Sequence, residues 1–214
     1  MMLGSRDYPM IINEKLNQIF SDRKKKAELD FHNIRVEEAI QCTRLSYFDR
    51  MEPIEDITPQ IINNLVREGF LNLMKSTEAK YKIEDLTLVV TPDLVLDGEL
   101  IANFHLVSIL PDSVSPRDML FANACLFALD KELAIVVYIT PEGTHTQFFV
   151  GKSNRMFEQV VRRARILSML LEERKKPVIE PSPFCIGCKY NDRCFPQQKD
   201  KSPQLLEDLF GTNK

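Results

Sequence analysis

The chain has little of what marks several large functional classes. Glycine is sparse, at 7 of 214 residues, and neither an internal repeat nor a low-complexity tract occurs, which excludes repeat arrays. No apolar run approaches the roughly 18 residues that a membrane span requires. No secretory leader is recognisable at the start, so a cytoplasmic protein without a disulfide framework is expected. The formal net charge of −3 excludes a general polyanion binder working by bulk charge, while leaving room for local basic patches. What remains is globular in composition, with 44% hydrophobic and 28% charged residues. The length suffices for one generous core, or for a main domain with a small annex.

Against this background the cysteines stand out. Cys185-Ile186-Gly187-Cys188 is followed by Cys194, in a segment flanked by Pro181, Pro183 and Pro196. Thiolates at such spacing can converge on one soft metal centre, an iron–sulfur cluster or zinc. Cys42, far upstream, is the candidate fourth ligand. Cysteine also serves as a small buried apolar residue. That role suits Cys125, within Phe121-Ala122-Asn123-Ala124-Cys125-Leu126-Phe127, better than a thiol cluster in an apolar-poor loop.

Periodicity orders the rest. Residues 9–27 read as a helix with Ile11, Ile12, Leu16, Ile19 and Phe20 on one face. Arg35 to Met51 reads as a second helix carrying Cys42, with Tyr47 and Phe48 packing inward. Thr58-Pro59 opens a third, as hydroxyl cap and first-turn proline, running to about Ser76. Leu86–Leu96 and Leu100–Leu110 flank Asp97-Gly98 and read as a strand hairpin. A helix follows Pro116 to about Leu129. Strands Glu132–Thr140 and Thr146–Val150 flank Pro141-Glu142-Gly143. A long helix, Asn154–Lys175, places Val160, Val161, Ile166, Leu167, Met169 and Leu170 inward. This order implies an α/β or α+β core of mixed sheet with flanking helices.

Helix with one cysteine, hairpin, helix, strands, helix, then Cys-x2-Cys-x5-Cys resembles the CRISPR-associated RecB-type exonucleases. The resemblance covers about residues 35–198. It implies an α/β restriction-endonuclease-like PD-(D/E)XK core, residues 35–178, with a four-cysteine iron–sulfur subdomain. Residues 1–34 then form an N-terminal helical segment, 179–198 the cysteine loop and 199–214 a tail. It favours a 4Fe–4S cluster on Cys42, Cys185, Cys188 and Cys194, with zinc as the alternative. The family's activity is DNA exonuclease.

The family's motif positions fall on Asn72, Asp93, Asn103, His105, Asn123 and Phe127. The family carries histidine at the first, then the metal-binding aspartate, Glu-x-Lys and Gln-x-x-x-Tyr. Of these only Asp93 keeps the family's residue. The reaction needs a divalent metal such as Mg or Mn held by hard oxygen ligands, usually two carboxylates. Asp93 is one such ligand; the neutral amide of Asn103 is a weaker one, and His105 lacks the permanent charge of lysine. Each lost group costs about 10²–10³ in rate, by analogy with deleting one preorganised stabilising donor. A nuclease fold with an impaired centre is therefore expected. An active exonuclease using Asp93 with substitute ligands, and a zinc-stabilised interaction module, are the alternatives. Glu99 is an unsuitable substitute, about 13 Å along the strand from Asn103; Glu68 is less excludable.

Register is decisive for this site. A two-residue turn at Asp97-Gly98 sets Asp93 opposite Ala102, whereas a three-residue turn including Glu99 sets it opposite Asn103. The resemblance requires the second, with Asp93, Asn103 and His105 facing one cleft. Pro92 marks a bulge, since proline cannot donate to a ladder. The implied partner is DNA, single-stranded or at its ends, together with subunits of a DNA-processing or CRISPR adaptation complex. Lys152, Arg155, Arg162 and Arg163 are candidate phosphate contacts. Lys189, Tyr190 and Arg193 lie inside the cysteine loop, where a strand could pass.

Overall fold

Proline at position 92 removes a donor from what would otherwise be one long strand, and there the chain changes sheets. The computed structural model describes residues 30–54, 69, 72, 74, 76–96 and 99–196. The expected helix at 9–27, most of the one opened by Thr58-Pro59, Asp97-Gly98 and the tail lie outside them. By internal contacts the chain divides into one unit ending at Pro177 and a second beginning at Val178.

In the first unit, β1 (Asn33–Arg35), β2 (Ala79–Ile83) and β3 (Leu86–Val90) form a sheet in the order β1-β3-β2. β1 runs parallel to β3, and β2 antiparallel to it. A second sheet is ordered β4-β5-β6-β7, from Leu94–Leu96, Leu100–Leu106, Leu133–Ile139 and His145–Gly151. Here β5 and β6 are parallel and the outer pairs antiparallel. Both sheets are thus mixed, as the α/β reading expects, and they are two in number. The cause is local: Leu86–Leu96 is not one strand, because Thr91-Pro92-Asp93 interrupts the ladder between β3 and β4. The β6–β7 hairpin turns as its sequence predicts, with Gly143 at φ +85, a conformation that favours glycine.

The helix expected over Arg35–Met51 is two helices, α1 (Val36–Ile40) and α2 (Thr43–Met51), separated at Gln41-Cys42. Side chains supply partners that an unbroken helix would find in its own backbone. Ser46 Oγ donates to the carbonyl of Glu38 at 2.7 Å, and Gln41 Nε2 donates to Ser46 Oγ at 2.8 Å. Arg163, from α4 (Asn154–Glu172), donates to the carbonyls of Ala39 and Gln41 at 2.7 and 2.6 Å.

The core joins Ile34, Val36, Leu88, Val90, Ile101 and Val136 from these elements to Leu126 of α3 (Pro116–Ala128) and Val160 and Leu167 of α4. Tyr47, Phe48 and Cys125 are buried as expected. Ile166 and Met169, expected inward, are 43% and 48% exposed. On a helix of this length the buried stripe takes Val160, Ala164, Leu167 and Leu171, and its neighbours one step around fall outside it.

Arg50 ties the start of this unit together. Its guanidinium donates two bonds to the Glu38 carboxylate, at 2.8 and 2.6 Å, and two more to the carbonyls of Asp30 and Asn33. The Arg50 side chain is 3% and that of Glu38 17% exposed, so removing the arginine leaves a largely covered carboxylate without its cation. Arg50→Ala is expected to destabilise the protein by about 3 kcal/mol, the low end for a broken buried pair. Urea unfolding measures it; a midpoint unchanged from wild type would refute the assignment.

Candidate active site

The site is set by strand register. β4 pairs with β5 as Leu94↔Ala102, Val95↔Ile101 and Leu96↔Leu100, so three residues separate the paired ends. The Glu99 N–H donates to the Leu96 carbonyl at 2.9 Å. Continued one step past the end of the ladder, this register aligns Asp93, in the bend before β4, with Asn103, as the three-residue turn requires. Asp93 Oδ2 accepts the Phe104 N–H at 2.7 Å. The carboxylate therefore also completes backbone bonding where Pro92 ended the strand.

Alternation places Asn103 and His105 on the same face of β5, beside their parallel-ladder partners Val136 and Tyr138. That face is the buried one on β6, where Ala134, Val136 and Tyr138 are all covered. Asn103 is itself 1% exposed, and neither its amide nitrogen nor its amide oxygen has a hydrogen-bond partner. Leaving a buried polar group unsatisfied costs about 1–3 kcal/mol.

His105 is held among polar neighbours. Its Nε2 lies 3.6 Å from Asp118 Oδ1, and its ring lies 5.5 Å from that of Tyr138. Tyr138 Oη donates to Asp118 Oδ2 at 2.6 Å and accepts the Ser115 N–H at 3.0 Å. Burial pushes the Tyr138 phenol above its ordinary pKa, and the Asp118 carboxylate adds to that shift. Asp118 was not among the residues singled out from sequence. Ser115, accepting the Asp118 N–H at 3.1 Å, caps α3 with Pro116 in its first turn. Cap spacing foretells a carboxylate near the helix start. That it faces His105 depends on how α3 lies over β5 and β6.

The remaining motif positions are placed elsewhere. Asn123 is fully buried on α3, where its Oδ1 accepts the Ser153 N–H at 2.7 Å and its Nδ2 donates to the Met119 carbonyl at 3.1 Å. It thereby holds the residue that precedes α4. Phe127 stacks on Phe157 with centroids 4.1 Å apart and planes 5° from parallel. Asn72 is helical and exposed. Glu68 lies outside the described residues.

The basic candidates divide. Lys152 bridges Asp130 and Glu132 at 3.0 and 3.2 Å, and the bond to Asp130 raises its pKa. Arg163 is committed to the α1 carbonyls. Arg155 and Arg162 are exposed, the latter beside a groove of about 550 Å³ lined by Tyr81, Ile83, Phe157, Val161 and Ile166.

None of the five cysteines is in a disulfide. Cys42 is exposed at the N-cap of α2, whereas Cys125 is fully buried. In the second unit, Cys185 ends a 3-10 turn, Pro183–Cys185, and Cys194 ends a short helix, α5 (Asn191–Cys194). Cys185, Cys188 and Cys194 are all partly exposed, and the Ser182 N–H points at Cys185 Sγ at 3.4 Å. Among the described residues, no three His, Cys, Asp or Glu side chains are gathered closely enough to hold a metal ion. No helix among them is long and apolar enough to cross a membrane.

No family model and no curated protein matches the sequence. Among solved structures, the crystal structure of SSO0001 matches with a TM-score of 0.63 at 15% identity, covering 86% of this chain and 96% of that one. The two share a fold. An alkaline exonuclease, LHK-Exo from Laribacter hongkongensis, aligns at 7% identity and a TM-score of 0.45, over 72% of this chain and 93% of that one. A phage-related exonuclease from Haemophilus somnus aligns at 9% identity and 0.42, over 67% and 96%.

The stranded amide makes a stability test available. Asn103→Leu replaces it with an apolar group of similar size and is expected to stabilise the fold by about 1–3 kcal/mol. A urea midpoint at or below wild type would show that Asn103 is satisfied in solution.

Proposed function

We propose that the protein is a RecB-like, PD-(D/E)XK-type protein that binds DNA but has lost most metal-dependent cleavage, working as a DNA-end binder or partner subunit in DNA processing. CRISPR adaptation is the specific setting the sequence resemblance implies. The single observation that carries this reading is Asn103, a neutral buried amide across from Asp93 where the reaction calls for a second carboxylate. Two further features support it. Asp93 spends one carboxylate oxygen on the Phe104 N–H, and His105, at the motif's lysine position, lies against the carboxylate of Asp118. A divalent metal at Asp93 alone would have one carboxylate ligand, too few hard donors to fix it for catalysis. Asp118, beside His105, is a carboxylate that an active enzyme would have to recruit.

The protein as proposed also carries a 4Fe–4S cluster on Cys42, Cys185, Cys188 and Cys194. The donor set suits it: thiols outside disulfides, with a backbone N–H directed at one sulfur. When bound, the cluster supplies a covalent clamp and no part of the cutting chemistry.

Two measurements test this. With Mg or Mn, the protein is expected to retain labelled single-stranded DNA in a mobility-shift assay without shortening it. Metal-dependent shortening that disappears in Asp93→Ala would overturn the inactive reading. Anaerobically purified protein is expected to contain iron and sulfide in equal amounts, with visible charge-transfer absorption lost in Cys188→Ala. Stoichiometric zinc without iron would replace the cluster by a zinc site.

A further inference from the structure

The second unit displays two apolar side chains that its own fold does not use. Phe184 and Ile186, on either side of Cys185, are 88% and 89% exposed. Their display is not a product of a loose backbone. The Cys185 N–H donates to the Ser182 carbonyl at 3.0 Å and the Cys188 N–H to the Cys185 carbonyl at 3.2 Å. Asn191 Nδ2 adds a bond to the same Cys185 carbonyl at 2.6 Å. A well-bonded turn that presents a benzyl ring and a branched aliphatic to solvent loses stabilisation it could gain by burying them.

The charges beside them narrow what would cover this face. Between Pro183 and Phe195 the chain has Lys189 and Arg193 against one acid, Asp192. Both cations lie over the buried ring of Tyr190, at 5.0 and 5.3 Å from its centroid, so their side chains are braced on a common platform. An exposed aromatic face with braced cations a few residues away matches a single nucleic-acid strand, whose bases stack and whose phosphates need positive charge.

We propose that the cysteine loop is a base-stacking contact for single-stranded DNA, with Phe184 stacking on a base, Ile186 packing beside it, and Lys189 and Arg193 meeting phosphates. This rests on the reading of the protein as a DNA binder and adds to it a contact made by second-unit residues, none of them part of the Asp93–Asn103 site. The contact is sequence-tolerant, because every base offers a π-face and the phosphates carry no sequence information.

The chain contains no tryptophan, which gives the test a clean reporter. In the full-length Phe184→Trp variant, emission is expected to be quenched on titration with a thymidine oligonucleotide. Phe184→Ala is expected to bind the same oligonucleotide about 5-fold or more weakly, as loss of one stacked base requires. Lys189→Gln is expected to flatten the salt dependence of binding by about 0.7 in log–log slope. Unquenched emission, or wild-type affinity in Phe184→Ala, overturns the proposal while leaving DNA binding by the protein intact. The second result is the one expected if the face meets another protein instead. Failure of the wild type to bind the oligonucleotide removes this contact and the underlying reading together.

Discussion

The hydrogen bond from the Phe104 N–H to the Asp93 carboxylate sits at the joint on which the first unit turns. Pro92 ends pairing in one sheet, β4 begins pairing in another, and the backbone between them needs partners the ladder no longer provides. Asp93 supplies an acceptor from its side chain. That bond holds β4 against β5 in the register that sets Asp93 across from Asn103. It also gives Asp93 a structural use that persists whether or not a metal is bound, so its presence is not in itself a sign of catalysis.

The side chains that this register gathers are polar without being strongly acidic, and Asp93 and Asn103 among them are buried. Asn103 contributes a buried amide lacking partners, a cost that a purely structural position would shed by becoming apolar. Beyond it Tyr138 Oη is hydrogen-bonded to both Asp118 and the start of α3, and the His105 ring lies beside them, its Nε2 3.6 Å from Asp118 Oδ1. Proton-holding groups are therefore present, while the pair of carboxylates facing one point is not in evidence at the two motif strands. Recognition of a nucleic-acid strand depends on phosphate contacts and stacking faces, which this arrangement does not compromise.

Much of the architecture could be read from residue order. The turn at Pro141-Glu142-Gly143, the helix opened by Ser115-Pro116 and the long helix from Asn154 appear with bounds within a few residues of expectation. Their signals are local, resting on backbone conformations that proline and glycine fix. The failures have a common form. The break at Gln41-Cys42 is held partly by Arg163, more than a hundred residues distant, and no local pattern announces it. β1 is three residues long and is a strand only because β3 lies beside it. Apolarity alone makes the stripe of α4 one step too wide, since Ile166 and Met169 are as apolar as the residues that are buried.

Sequence by itself determined the chemistry available: one acidic residue, Asp93, an amide and an imidazole at Asn103 and His105, and thiols at metal-ligand spacing. It also limited the hairpin to two registers. Which register holds, and that Asp118 faces His105, were decided by tertiary structure. A one-residue slip changes no residue's identity but moves every side chain of a strand to the opposite face, and only packing against a neighbouring layer selects between them.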